Sequence, residues 1–226
     1  MKFLPLILGV RRAPAAGTGT GSVSKSQSDE ILKRDNYTCR FCGFRSLQYQ
    51  RAISLPPTHD HNEAFVTACT FCENALFLDR AGIMGAGILV WLPEIGQAEL
   101  NHLARAIYVA RADAGGLAET ANRALDTLLA RRTEAKKRVA SDDPLVLATV
   151  MHENLDDSAY KNAATKLEGV RLMPMDKYIV RGKHGDINQF SQMVKFWSSP
   201  QGPYGRLPVD QWLNLFQAAQ SKIGHA

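Results

Sequence analysis

Residues 39–42 read Cys-Arg-Phe-Cys and residues 69–72 read Cys-Thr-Phe-Cys, and these two pairs hold all four cysteines of the chain. Two residues between cysteines let both sulfurs of one turn face a single point. Gly43, directly after the first pair, suits the tight backbone turn of a zinc knuckle. Two knuckles supply four thiolates, the tetrahedral set that Zn²⁺ takes at about 2.3 Å in closed structural sites. The 26 residues between the pairs slightly exceed the usual template. Cys39, Cys42, Cys69 and Cys72 are therefore the candidate ligands of one structural zinc ion. Such a site leaves no position open for water.

Other uses of paired cysteines fit less well. A disulfide within Cys-x-x-Cys closes a very small loop, and nothing else supports a secreted context. A thioredoxin-like site needs one pair at a strand-to-helix junction and leaves the second pair unexplained. Iron–sulfur clusters also take four thiolates, but the ferredoxin spacings are absent. Each pair carries an aromatic residue in its third position, Phe41 and Phe71. Those rings pack around the metal in two similar knuckles, or serve as plain core; the two readings are compatible.

The rest of the chain gives these knuckles a globular setting. Its 226 residues are 45% hydrophobic and 22% charged, enough to bury a real core and too apolar for disorder over most of the length. No apolar run approaches the ~20 residues of a membrane span. Lys plus Arg number 27 against 22 for Asp plus Glu, a formal +5, which is a mild attraction for anionic partners. Four thiolates with Zn²⁺ contribute −2, so a filled site brings the balance to +3. Near the N-terminus, residues 3–10 are apolar but short, interrupted by Pro5 and followed by Arg11-Arg12. They read as an extended segment laid on the domain rather than a secretory leader. Residues 13–28, rich in Gly, Ser, Thr and Ala, read as a flexible linker.

Beyond the knuckles the periodicity turns helical. Residues 88–92, Ile-Leu-Val-Trp-Leu, form a buried strand stopped by Pro93. From Gly96, Leu100, Leu103, Ile107 and Ala110 keep amphipathic helix spacing, which Gly115-Gly116 ends. A second helix puts Leu117, Ala121, Ala124, Leu125, Leu128 and Leu129 on one face, antiparallel to the first. The basic run Arg131–Arg138 that follows is read as a solvated helix end, with nucleic-acid binding as its rival. Glu134 interrupts it, and no aromatic is interleaved for base stacking. Ser141-Asp142-Asp143-Pro144 starts a helix that runs to about Asn154. A further helix is expected over 156–167, then a strand at 170–173 with Tyr178-Ile179-Val180 beside it. Residues 200–205 are a turn, and a last helix spans 209–223. Trp197 and Trp212 are expected in the core, or as a partner anchor if part-exposed.

Two resemblances carry the reading further. Residues 31–43, Ile-Leu-Lys-Arg-Asp-Asn-Tyr-Thr-Cys-Arg-Phe-Cys-Gly, resemble the opening of HNH-type nucleases, and residues 66–72 resemble their second knuckle. Those nucleases need a histidine on the hairpin strand as general base, and His or Asn residues around a catalytic metal. Here residues 48–54 contain no histidine and Ala64 replaces an expected Asn. His59-Asp60-His61-Asn62 is read as a polar loop after Pro56-Pro57, with a metal role for His59 or His61 as the alternative. More of the chain resembles the IcmJ/DotN family of type IVB secretion systems and related conjugation machines. The residues that carry this are 4–10, 39–45, 66–69, 76–79, 88–95 and 97–106, in order and spacing.

That resemblance implies an α+β protein: an HNH-like zinc-binding module followed by a mainly helical C-terminal region. The expected divisions are 1–28 for the extended segment and linker, 29–95 for the module, and 96–226 for the region packed on it. It implies a non-enzymatic adaptor with no catalytic residues. Such an adaptor is cytoplasmic and peripheral to the inner-membrane secretion complex, where it helps recruit substrates. Its expected partners are the C-terminal extension of the coupling ATPase and fellow adaptor subunits. Neither nucleic acid nor a small-molecule substrate is expected. The alternatives are an HNH-type metal-dependent nuclease and a non-catalytic nucleic-acid-binding protein.

Overall fold

The sequence around the knuckles is rich in turn formers and short β-prone stretches, so it folds as short elements rather than as one large sheet. The computed structural model describes residues 3–10, 23–55, 64–113, 115–154, 162, 166–182 and 185–214. Helix α1 (Lys25–Arg34) opens on a capping box in which the Ser24 hydroxyl accepts from the Gln27 amide and the Gln27 side chain accepts from the Ser24 amide. The helix thus takes up Lys25 to Ser28, residues read from composition as linker. A Ser cap with Gln at the third helical position outweighs local polarity.

Strands β1 (Gln50–Ser54) and β2 (Phe65–Cys69) pair antiparallel with Gln50 opposite Cys69. β2 runs without a loop into α2 (Thr70–Leu76), with Cys69 as its N-cap residue. Asp35, which caps α1, binds this hairpin to the helix. Its carboxylate accepts from the Thr67 amide at 2.9 Å and from Arg34 Nε and Nη2 at 3.0 Å each. Arg34 in turn donates to the Phe65 carbonyl at 3.0 Å. The Arg-Asp pair before the first knuckle is therefore a structural clasp on β2. Burial alone disfavours the Asp35 carboxylate, but these donors prevail and hold its pKa below the ordinary value.

After α3 (Leu78–Ile83), strand β3 (Gly87–Trp91) realises the apolar run of the sequence and pairs antiparallel with β4 (Val170–Pro174). Tyr178-Ile179-Val180 does not lie beside β4 as expected. β5 (Ile179–Gly182) instead makes a hairpin with β6 (Gly185–Asn188). The flank of β4 away from β3 is closed by a side chain: Gln97 donates to the Leu172 carbonyl and accepts from its amide, both at 2.8 Å. That arrangement satisfies backbone groups that a third strand would otherwise have to meet.

Helices α4 (Gln97–Ala112) and α5 (Ala118–Ala130) pack together, as their spacing requires. On α4, Leu100, Ile107 and Ala110 are buried, but Leu103 points outward at 41% exposure. α6 (Arg132–Val139) lies over β3, and α7 (Pro144–Asn154) starts at the proline the sequence marks. α8 (Phe190–Ser198) buries Phe190, Met193, Val194 and Trp197, a regular i, i+3, i+4, i+7 face. The expected helix over 156–167 falls almost wholly outside the described residues. That over 209–223 is described only to 214, where a 3₁₀ turn (Val209–Gln211) leads into helical residues.

The N-terminal segment is extended and laid on this body, as expected. Leu4, Leu8 and Val10 are buried, and Gly9 exchanges backbone hydrogen bonds with Ala75 and Leu78 at 3.1 and 2.9 Å. One apolar cluster gathers the cysteines, Phe44, Phe71, Tyr108, Phe190 and Trp197, in part edge to face. A second unites Leu8, Val10, Leu78, Leu89, Leu147, Met151 and Leu172.

Candidate metal centre

The first knuckle is shaped by its backbone. Cys39 donates to the Phe44 carbonyl at 2.9 Å and Gly43 donates to the Cys39 carbonyl at 3.0 Å, closing a turn that puts Gly43 at φ +74°. Only glycine takes that conformation without strain, and the Phe3 ring lies 3.0 Å from where a Cβ would stand. From below, the Gln50 side-chain amide donates to the carbonyls of Tyr37 and Phe44 at 3.0 and 2.7 Å. The second knuckle needs no separate turn, because Cys69 ends β2 and Cys72 lies in the first turn of α2.

These two frames bring the four sequence-marked cysteines to one point. All four Sγ atoms lie within 4.8 Å of one another, and Cys42 Sγ stands 3.8 Å from Cys69 Sγ. A tetrahedron with ~2.3 Å metal–sulfur bonds has edges of about 3.8 Å, so the donor set fits zinc in both chemistry and size. Cys39, Cys69 and Cys72 are buried, and Cys42 is half-buried. Burial pushes the Cys39 and Cys72 thiols well above their ordinary range. The Cys42 thiol is held low by hydrogen bonds from the neighbouring thiols. Burial opposes ionisation of Cys69, yet hydrogen bonding from its neighbours brings it down too. Metal binding requires all four as thiolates.

Sequence reasoning missed the groups that surround the sulfurs. Gln97, Asn101 and Arg105 recur at i, i+4, i+8 on α4, and all three are buried. Asn101 Nδ2 donates to Cys72 Sγ at 3.3 Å, and Asn101 Oδ1 accepts from Gln97 Nε2 at 3.0 Å. Arg105 Nη2 donates to Cys69 Sγ at 2.8 Å and to Cys42 Sγ at 3.4 Å. Next to it, His102 Nε2 lies 2.7 Å from the Cys42 carbonyl. A hydrogen bond with the Cys42 side chain raises the His102 pKa above its ordinary value. The signal was present as a polar stripe inside an amphipathic helix, but periodicity analysis follows the apolar residues and passes over it.

Phe71 is a core residue, in contact range of Tyr108, Phe190 and Trp197, and Phe41 is buried as well. Trp197 is buried, whereas Trp212 is half-buried with its Nε1 donating to the Leu207 carbonyl at 2.8 Å. His59 and His61 lie outside the described residues. Every cation of the basic run has a local acidic or aromatic neighbour. Arg131 pairs with Glu94, Arg132 and Lys136 with Asp142, and Lys137 and Arg138 with Glu134. Arg138 also stacks 3.7 Å from the Trp91 ring centre.

Fold and site together define a mixed α/β protein whose four cysteines converge in a cluster able to hold a metal ion. Among the described residues no helix is long and apolar enough to cross a membrane. No protein-family model matches the chain. It is 32% identical over 162 residues to the type 4 apparatus protein DotN of Legionella pneumophila, a match that covers 66% of this chain and 72% of that protein. The chain belongs to the DotN/IcmJ family of type IV secretion.

Proposed function

We propose that this protein is a non-enzymatic, zinc-containing adaptor subunit of a type IVB secretion or conjugation coupling complex. The observation that carries the zinc assignment is the convergence of four cysteine sulfurs within 4.8 Å. Cys39, Cys42, Cys69 and Cys72 would hold one Zn²⁺, which in an all-thiolate shell supplies folding energy rather than an activated water. The antiparallel β1–β2 hairpin running into α2 supports an HNH-like module over 29–95, with 96–226 packed against it. The absence of histidine from β1 argues against nuclease chemistry there.

The secretion role rests on kinship with the type 4 apparatus protein DotN. In this reading the chain is cytoplasmic, sits peripherally on the inner-membrane complex, and docks the C-terminal extension of the coupling ATPase beside fellow adaptor subunits. Tagged protein should capture that extension, and the purified protein should contain one zinc per chain by elemental analysis. Failure to capture the extension, with the zinc site intact, would overturn the adaptor assignment. Metal-dependent plasmid cleavage that disappears in the His59→Ala/His61→Ala double variant would support the nuclease alternative instead.

A further inference from the structure

Arg105 is a charged side chain in the interior. It is fully buried, and among the described residues no Asp or Glu pairs with it. Its guanidinium lies 4.1 Å from the ring centre of Phe44 and 5.3 Å from that of Phe71. One Nη reaches the two sulfurs of Cys69 and Cys42, and the other stands 3.4 Å from His102 Nδ1. An unpaired buried cation is costly. Here the groups placed to balance it are sulfurs.

The charges explain why a cation belongs there. Four thiolates around Zn²⁺ leave a net −2 in a mostly buried cluster, and an arginine fork beside two of the sulfurs reduces that to −1. The Phe44 and Phe71 faces favour the guanidinium's position and keep it out of water. Asn101 adds a neutral N–H to a third sulfur, Cys72, from the same helix face. α4 therefore joins the helical region to the metal module through its polar stripe.

We infer that Arg105 is a positioning residue for the metal centre: a built-in counter-cation whose N–H···S bonds to Cys69 and Cys42 hold zinc in place and slow its loss. The inference rests on the zinc assignment above. Its test is zinc transfer from the full-length loaded protein to a chromogenic chelator, together with the cobalt-substituted spectrum. R105M should bind zinc roughly 10- to 100-fold more weakly, the usual effect of removing a group that orients metal ligands. R105K, which keeps a charge but not the fork, should fall between R105M and the wild type. In the cobalt form, losing the N–H···S bonds should move the sulfur-to-metal charge-transfer band to lower energy. The core variant I107A, on the same helix with a side chain that offers sulfur no N–H, should lose stability and leave that band in place.

Where R105M does not fold, R105K and the ¹¹³Cd-loaded wild type carry the test. The cadmium-loaded wild type should show scalar coupling between the metal and an arginine Hη proton through the sulfur. Wild-type affinity and an unshifted band in R105M or R105K, or no such coupling, would overturn the inference while zinc binding stands. A wild-type chain that takes up neither zinc nor cobalt would overturn the zinc assignment and this inference together.

Discussion

The clasp at Asp35 makes the most demanding prediction about how the first knuckle is held. In D35A the Thr67 amide, on a fully buried residue, loses its acceptor. An orphaned buried donor costs about 1–3 kcal/mol. The Arg34 pair adds less than about 1 kcal/mol, because Arg34 is 43% exposed and water screens it. The long 3.5 Å contact to Arg40 adds little more. The total is about 1–4 kcal/mol. D35N keeps an oxygen toward Thr67 and loses only the charge, so it should cost about 1 kcal/mol. For a chain of this size each kcal/mol moves Tm by about 2–4 °C, so D35A should melt roughly 2–16 °C below wild type at saturating zinc. Circular dichroism melts of wild type, D35A and D35N measure this directly. A D35A melt within about 2 °C of wild type, or a D35N loss equal to that of D35A, would refute an account that rests on the Thr67 amide.

Further outcomes follow from other sites. Stripping metal with a chelator, or the Cys72→Ser substitution, should lower Tm and loosen residues 39–72 first, seen as faster amide hydrogen exchange there; unchanged exchange would contradict a folding role for the metal. Asp142 is held below its ordinary pKa; burial works against this, but Arg132 and then Lys136 outweigh it. Its contribution should be fully present above about pH 4 and fade as pH falls through its lower folded-state pKa. The wild-type advantage over D142N, under about 1 kcal/mol at neutral pH, should close in that acid range in paired urea titrations. At Gly202 an added Cβ would meet the carbonyl oxygens of Phe196 and Trp197. G202A should therefore cost several-fold more stability than alanine at Gly116, where nothing stands nearby. The paired charges of 131–138 predict that binding to generic duplex DNA, if any, lacks the steep salt dependence of a phosphate-tracking surface; a steep slope lost in K136A/K137A would overturn that reading.

Much of this protein is fixed by short-range signals in the chain. The knuckle spacing, Gly43, the Pro144 helix start and the apolar run of β3 each act through a few neighbouring residues, and each is legible where it stands. The Ser24–Gln27 capping box was equally local, but it was hidden in a segment whose composition reads as linker. What the sequence could not settle are matters of partner choice. β3 takes β4 from far along the chain rather than a neighbour, because Leu89 and Leu172 share one apolar cluster and Gln97 closes the far flank of β4. The basic run shows its charges but not Glu94, Asp142 and the Trp91 ring that engage them. The same holds at the metal centre. The four cysteines announce themselves by spacing, whereas Asn101 and Arg105 come to contact the sulfurs only when α4 is packed against both knuckles. A polar side chain in an amphipathic pattern looks solvent-facing until tertiary structure buries it against the sulfurs it contacts.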